Sequence, residues 1–232
     1  MARNVHIASE KDLIVAPATA AGAAAIGIVR LSGPGAIESG QKLFSKQFTT
    51  AQPGRMLLGR LRSTSGDHAV DQCLAVHWKA PHSYTGEDMV EFHLHGSPAV
   101  IQACVEACIA AGARLAEPGE FTRRAFLNGK LDLAQAEAVA ALTNSQTEAA
   151  ARSALAQLQG GLSKRLADVR QDLVQVTAEL EACVDYPEED IPGLERDRLT
   201  SMVAGALKTV RALLASYERG RRLMRSEEHT SE

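Results

Sequence analysis

Between Glu117 and Ala138 (EPGEFTRRAFLNGKLDLAQAEA) the sequence changes its hydrophobic rhythm, and with it the kind of fold it can enter. Upstream, apolar residues come in short β-type runs at Leu13–Val15, Ile26–Leu31, Asp71–Trp78 and Met89–His95. Downstream of Leu131 they recur at steps of three and four, the spacing of one helix face. A Pro118–Gly119 turn and an Asn128–Gly129 corner punctuate the change, because residues that tolerate left-handed backbone stop a helix at little cost. We therefore expect an α+β domain over residues 1–127 and an all-α helical-bundle segment over residues 128–224.

Within the first part, Pro81–Asp88 (PHSYTGED) is a turn-rich loop between two strands. Ser97–Pro98 opens a helix, with Ser at the N-cap and Pro in the first turn. Ile101, Cys104, Val105 and Cys108 form its buried stripe, and Gly112 ends it. Beyond Leu131 the pattern reads as continuous helix, with capping boxes at Asp132/Gln135 and Ser145/Glu148. Leu155, Leu158, Leu162, Leu166, Val169, Leu173, Val176 and Leu180 make one stripe. Asp185–Pro187 and Ile191–Gly193 break it, and Leu199, Val203, Ala206, Val210, Leu213 and Tyr217 make a second. Two such helices form an antiparallel hairpin whose remaining apolar face needs further helices or a second subunit.

Bulk properties exclude more than they identify. Apolar residues make up 45% and charged residues 23%, which fits a packed globular chain. A net charge of −3 leaves no basic footprint, so a nucleic-acid partner would have to be met by a local patch. Arg219, Arg221 and Arg222 cluster but suit the end of a helix. Cys73, Cys104, Cys108 and Cys183 include no C-x-x-C pair, which argues against a disulfide framework and for a reducing cytoplasm. The apolar run Leu13–Val29 contains Pro17 and follows Glu10 and Asp12, unlike a secretory signal, and no run approaches a membrane span. The tail Arg225–Glu232 (RSEEHTSE) has no periodicity and resembles the translation of a sequencing-adapter oligonucleotide. Setting aside its one Arg and three Glu moves the net charge from −3 to −1 and implies a gene that continues further.

Three groups of residues could carry chemistry. On the strand Met89–His95, alternation puts Glu91, His93 and His95 on one face and Val90, Phe92 and Leu94 on the other. That polar face could be solvated, could ligate a metal, or could present Glu91 to the paired N–H groups of a planar heterocycle. Arg30 lies inside the apolar run IGIVRLSG, where an arginine either snorkels from an edge or points into a pocket. Lys130, Arg123 and Arg124 sit around the Asn128–Gly129 corner, where rigid backbone can aim positive charge at an anion.

PHSYTGEDMVEFHLHG, EPGEFTRRAFLNGKLDLAQAEA and AARSALAQLQGG, in that order, resemble the N-terminal half of the tRNA-modification GTPase family MnmE (TrmE). LIVAPATAAGAAAIGIVRLSG and EACVDYPEEDI resemble its opening strand and its mid-helical break, so the likeness runs from Asp12 to about Met224. It implies that the first domain has a folate-dependent aminomethyltransferase-like fold, forms a homodimer, and binds a tetrahydrofolate derivative (5,10-methylene- or 5-formyl-tetrahydrofolate) through Arg30, Glu91 and Lys130. A carboxylate such as Glu91 can accept from an amino-pyrimidinone edge, and Arg30 or Lys130 suits an anionic glutamate tail. The resemblance further implies modification at C5 of the wobble uridine of certain tRNAs, with the FAD-dependent protein MnmG as partner. It also puts Arg123 and Arg124 at the seam between the domains.

Two departures qualify the likeness. The family's opening loop carries Pro and an Arg-Gly pair where this chain has Ala20-Ala21-Gly22-Ala23-Ala24. No G-x-x-x-x-G-K-[ST] occurs in the sequence, so GTP, Mg2+ and K+ are expected to belong to a GTPase domain outside it. A GTP-independent folate enzyme and a non-catalytic dimerising scaffold are the competing readings.

Overall fold

The computed structural model describes residues 12–48, 51–63, 68–185 and 196–228, with side chains as far as residue 216. The chain divides into two compact units, residues 1–131 and 132–232. The first is α+β. Its strands are β1 (Ile14–Pro17), β2 (Ile26–Ser32), β3 (Leu57–Arg62), β4 (Ala69–Trp78), β5 (Met89–His95) and β6 (Arg114–Leu115), in the spatial order β3-β4-β5-β2-β1-β6. Every pairing is antiparallel except that of β1 with β6. The helices are α1 (Ala36–Leu43), α2 (Pro98–Ala110) and α3 (Glu120–Leu127).

Strand alternation sets the architecture. Val29 and Leu31 of β2, Val90, Phe92 and Leu94 of β5, and Cys73 and Ala75 of β4 join α1 and α2 in one buried core. Cys104, Val105, Ala107 and Cys108 are buried on α2, while Ile101 is partly buried against them. Ser97 holds the N-cap position with Pro98 in the first turn, but its side chain makes no capping hydrogen bond. The opposite face of the sheet carries Arg30 and Glu91. Its outer part is more open, with Leu58 and Ile26 both more than half exposed.

The elements missing from the sequence reading, α1, β3 and β6, are short, and two of them hold a glycine that packing demands. A Cβ on Gly40 of α1 would sit 3.1 Å from both Val90 methyls, tighter than an ordinary contact, so α1 or Val90 would have to yield to admit one. A Cβ on Gly59 of β3 would lie 2.5 Å from the buried Phe44 ring. Gly59→Ala is expected to lower stability by about 1–3 kcal/mol, the usual cost of overpacking. Urea unfolding followed through Trp78 fluorescence measures it.

The second unit contains α4 (Leu133–Thr143), α5 (Glu148–Leu158), α6 (Gly161–Asp185) and α7 (Arg196–Glu228). The continuous helix expected from Leu131 is therefore interrupted twice. The Asp132/Gln135 capping box forms in full. The expected Ser145/Glu148 box does not, because Thr147 caps α5 through the Ala150 amide and Ser145 bonds back to the Leu142 carbonyl. The second break is a left-handed Gly160, beside which Gln135 and Gln157 cross-link the α4 and α5 backbones. Heptad-like spacing ran straight across Gly160–Gly161 and concealed this break.

Helix α6 pairs with α7, and Glu179 bonds Arg198 between them. Val169, Val176, Leu199 and Ala206 are the stripe positions that become buried, whereas Leu166, Leu173, Leu180, Val203 and Val210 remain 43–50% exposed. The backbone of α7 continues helically through Glu228, into the tail set aside from the sequence. The chain breakers of residues 186–195 lie outside the described residues, as do the side chains of Tyr217, Arg219, Arg221 and Arg222. Among the described residues no helix is long and apolar enough to cross a membrane.

Candidate functional site

Antiparallel register places Arg30 directly across from Glu91 on the face away from the α1/α2 core. Arg30 Nε donates to Glu91 Oε1 at 2.7 Å, with side chains 24% and 10% exposed. The Arg30 guanidinium carbon lies 5.2 Å from the centre of the Tyr84 ring and 5.5 Å from that of Phe121. Arg30 is thus turned onto a buried carboxylate and against two aromatic faces rather than snorkelling outward. Glu91 Oε2 lies 3.3 Å from His93 Nε2. His95 turns elsewhere: its backbone amide and Nδ1 both meet the Asp71 carboxylate, at 2.9 and 2.8 Å. Glu91, His93 and His95 share a face without converging, and the described residues contain no group of three or more His, Cys, Asp or Glu able to hold a metal.

Lys130 is held by the loop that carries Tyr84, and its described hydrogen bonds go to neither Arg30 nor Glu91. Helix α3 ends at Asn128 and Gly129 (φ 68°), and the Lys130 amide returns to the Ala125 carbonyl. The exposed Nζ donates to the Pro81 carbonyl at 3.1 Å, at the start of the loop that carries Tyr84. Asn128 Nδ2 bonds the Thr85 carbonyl of the same loop. Gly86 (φ 78°) packs so tightly that a Cβ there would be 3.1 Å from both Asn128 and Lys130. The corner seen in the sequence therefore fixes the loop.

Arg123 and Arg124 part company. Arg123 is half exposed beside Glu117. Arg124 is buried, with its hydrogen-bond partners in the first unit: its Nη1 donates to the Asp12 carbonyl at 2.7 Å and to both Glu87 oxygens at 3.2 Å. Its Nη2 meets Glu120 Oε1 at 3.0 Å, and Arg114 grips the same carboxylate at 2.7 and 2.9 Å. Burial alone would raise the Glu120 carboxyl. The Arg114 guanidinium, the Glu117 amide and the Arg124 guanidinium outweigh it and hold the group down at about 2. A carboxyl lower in the folded than in the unfolded chain stabilises above its unfolded value and loses that contribution as protons bind. Glu120 is therefore expected to make stability fall as pH drops from 4.5 towards 2, a slope that Glu120→Gln removes in urea titrations at stepped pH.

Burial, with Asp71 nearby, pushes the Cys73 thiol up to about 12, which leaves it inert as a nucleophile. The free thiol of Cys104 is raised as well, chiefly by its hydrogen bond to the Cys108 thiol and by burial.

Residues 13–130 match the family described as "GTP-binding protein TrmE N-terminus", and residues 133–225 match "MnmE helical domain". The chain belongs to the MnmE (TrmE) family. It is 46% identical over 211 residues to the tRNA modification GTPase MnmE of Aquifex aeolicus, covering 91% of this chain and 47% of that protein. Against the tRNA modification GTPase MnmE of Thermus thermophilus it is 46% identical over 212 residues, covering 91% and 48%. The match to the Caulobacter vibrioides protein of the same description is 47% over 216 residues, covering 91% and 46%. The chain spans about half the length of the curated relatives it matches.

The site residues Tyr84, Phe121, Glu87 and Ser32 are not among those that the sequence singles out. A signal existed for all four: each lies in one of the motifs that carry the resemblance. Nothing in strand or helix periodicity pairs either ring with Arg30.

Proposed function

We propose that the first unit binds a tetrahydrofolate derivative, 5,10-methylene- or 5-formyl-tetrahydrofolate, at Arg30 and Glu91 with Lys130 at the rim. The observation that carries this reading is a buried carboxylate held by an arginine that is itself packed against two aromatic rings. The residues suit the ligand. Among the described residues each Glu91 oxygen has one protein partner, and a carboxylate oxygen has a second lone pair for a heterocycle N–H. Arg30 holds Glu91 oriented through its Nε–H, and Nζ of Lys130 has donors left for an anionic tail after serving Pro81. The bound folate would supply a one-carbon unit, while these side chains bind and orient it.

By its family, the protein would serve in the cytoplasm in the C5 modification of the wobble uridine of certain tRNAs. It would act as a homodimer through its N-terminal domain, with tRNA and the FAD-dependent MnmG as partners. GTP binding and hydrolysis, with Mg2+ and K+, would fall to a part of the full-length protein beyond this sequence, which lacks a phosphate-cradling lysine motif. Calorimetric titration of the chain with 5-formyl-tetrahydrofolate tests the reading. One saturable site per chain is expected, and no binding up to millimolar ligand would sink it.

A further inference from the structure

Two residues beyond Arg30 on the same face of β2, Ser32 is fully buried. Its Oγ donates to Glu87 Oε2 at 2.8 Å and lies 2.6 Å from Thr85 Oγ1. A hydroxyl has one proton, so Thr85 must donate to Ser32 while Ser32 donates to Glu87. Glu87 also receives Arg124 Nη1 on both oxygens. Tyr84, one residue before Thr85, lays its ring by Arg30 and bonds Thr122 Oγ1 at 2.8 Å. Phe121, three residues before Arg124 and on the same side of α3, supplies the second ring. One carboxylate therefore joins the loop and the helix that carry the rings, and Ser32 ties it to the strand that carries Arg30.

We propose that Glu87 is a positioning residue for the Arg30–Glu91 site: shared between Ser32 and the buried Arg124, it fixes Tyr84 and Phe121 against Arg30 and so keeps Arg30 on Glu91. The inference rests on the folate reading of that site. Stability alone does not ask for this arrangement, because a well-packed apolar cluster of similar volume commonly serves as well as a buried ion network. Charge-assisted hydrogen bonds with fixed geometry add direction, and here all of it converges on the two ring-bearing elements.

The test uses the full chain with Glu87→Gln, Glu87→Asp and Ser32→Ala, and with the core variant Phe48→Leu as a control for lost stability. Hydrogen exchange of the amides of residues 82–88 and calorimetry with 5-formyl-tetrahydrofolate are the two measurements. Glu87→Gln and Ser32→Ala are each expected to speed that exchange and to weaken binding by about 10-fold or more, the scale of one lost charge-assisted hydrogen bond. Glu87→Asp, which keeps a charge for Arg124, recovers part of the lost affinity, and Phe48→Leu changes neither measurement. Unchanged exchange in Glu87→Gln, wild-type affinity in it, or an Asp variant no better than Gln overturns the proposal. If Glu87→Gln does not fold, the uncharged change Ser32→Ala decides by the same two readings. If the wild-type chain binds no folate, that reading falls, and exchange alone decides: faster exchange over 82–88 supports the positioning role and unchanged exchange overturns it.

Discussion

Arg124→Ala is expected to lower the stability of the first unit by about 3–5 kcal/mol, the cost of breaking a buried ion network from one side. The side chain is 3% exposed and serves the Asp12 carbonyl, Glu87 and Glu120 at once. Among the described residues, its removal leaves the Glu87 carboxylate with Ser32 alone and leaves Glu120 to Arg114, the Glu117 amide and the half-exposed Arg123. The loss should exceed that of Arg123→Ala several-fold, since exposed pairs are worth at most about 1 kcal/mol. Urea unfolding monitored at Trp78, the chain's single tryptophan, isolates the first unit. A loss below about 1 kcal/mol would show that the network is relieved by water and is not a structural centre. The double variant Arg124→Met/Glu87→Gln should lose less than the two single changes added together, because it removes charge from both sides.

That Arg124 is internal marks where the sequence stopped being readable. The pattern of β5 was legible residue by residue, because one face must be apolar: Val90, Phe92 and Leu94 went into the core and Glu91 went to the opposite face. Arg30 was legible as an anomaly, a charge within an apolar strand, but its direction depended on register with β5. That register is a long-range pairing, 61 residues apart, that no local periodicity encodes. The Asn128–Gly129 corner before Lys130 is marked by its residue types, yet what the corner grips is the loop at Pro81 and Gly86, again a distant contact. Glycine concealed α1 and β3 for the opposite reason: Gly40 and Gly59 look like breakers in sequence and are packing surfaces in the fold. Adjacent arginines of identical chemistry, Arg123 and Arg124, separate only when the helix phase is known, which puts one in solvent and the other in the core.

Glu91→Ala carries the largest expected effect on binding. Two charge-assisted hydrogen bonds from a heterocycle edge to a largely buried carboxylate are together worth about 3–6 kcal/mol. Their loss therefore corresponds to at least about a 100-fold weaker Kd for 5-formyl-tetrahydrofolate. The fold should survive, since Arg30 is 24% exposed and can turn its guanidinium to water, so the stability loss stays near about 1–2 kcal/mol. Glu91→Gln is the more discriminating change. It keeps the shape but replaces one acceptor by an NH2 donor, which must face either Arg30 Nε, itself a donor, or the donors of the ligand. Either orientation leaves one donor facing another, so Gln should recover little of what Ala loses. Arg30→Lys should bind more weakly than wild type as well, because an ammonium lacks the planar fork that meets Glu91 and packs against Tyr84. Near-wild-type affinity in both Glu91 variants, with the chain folded, would move the ligand away from this strand face.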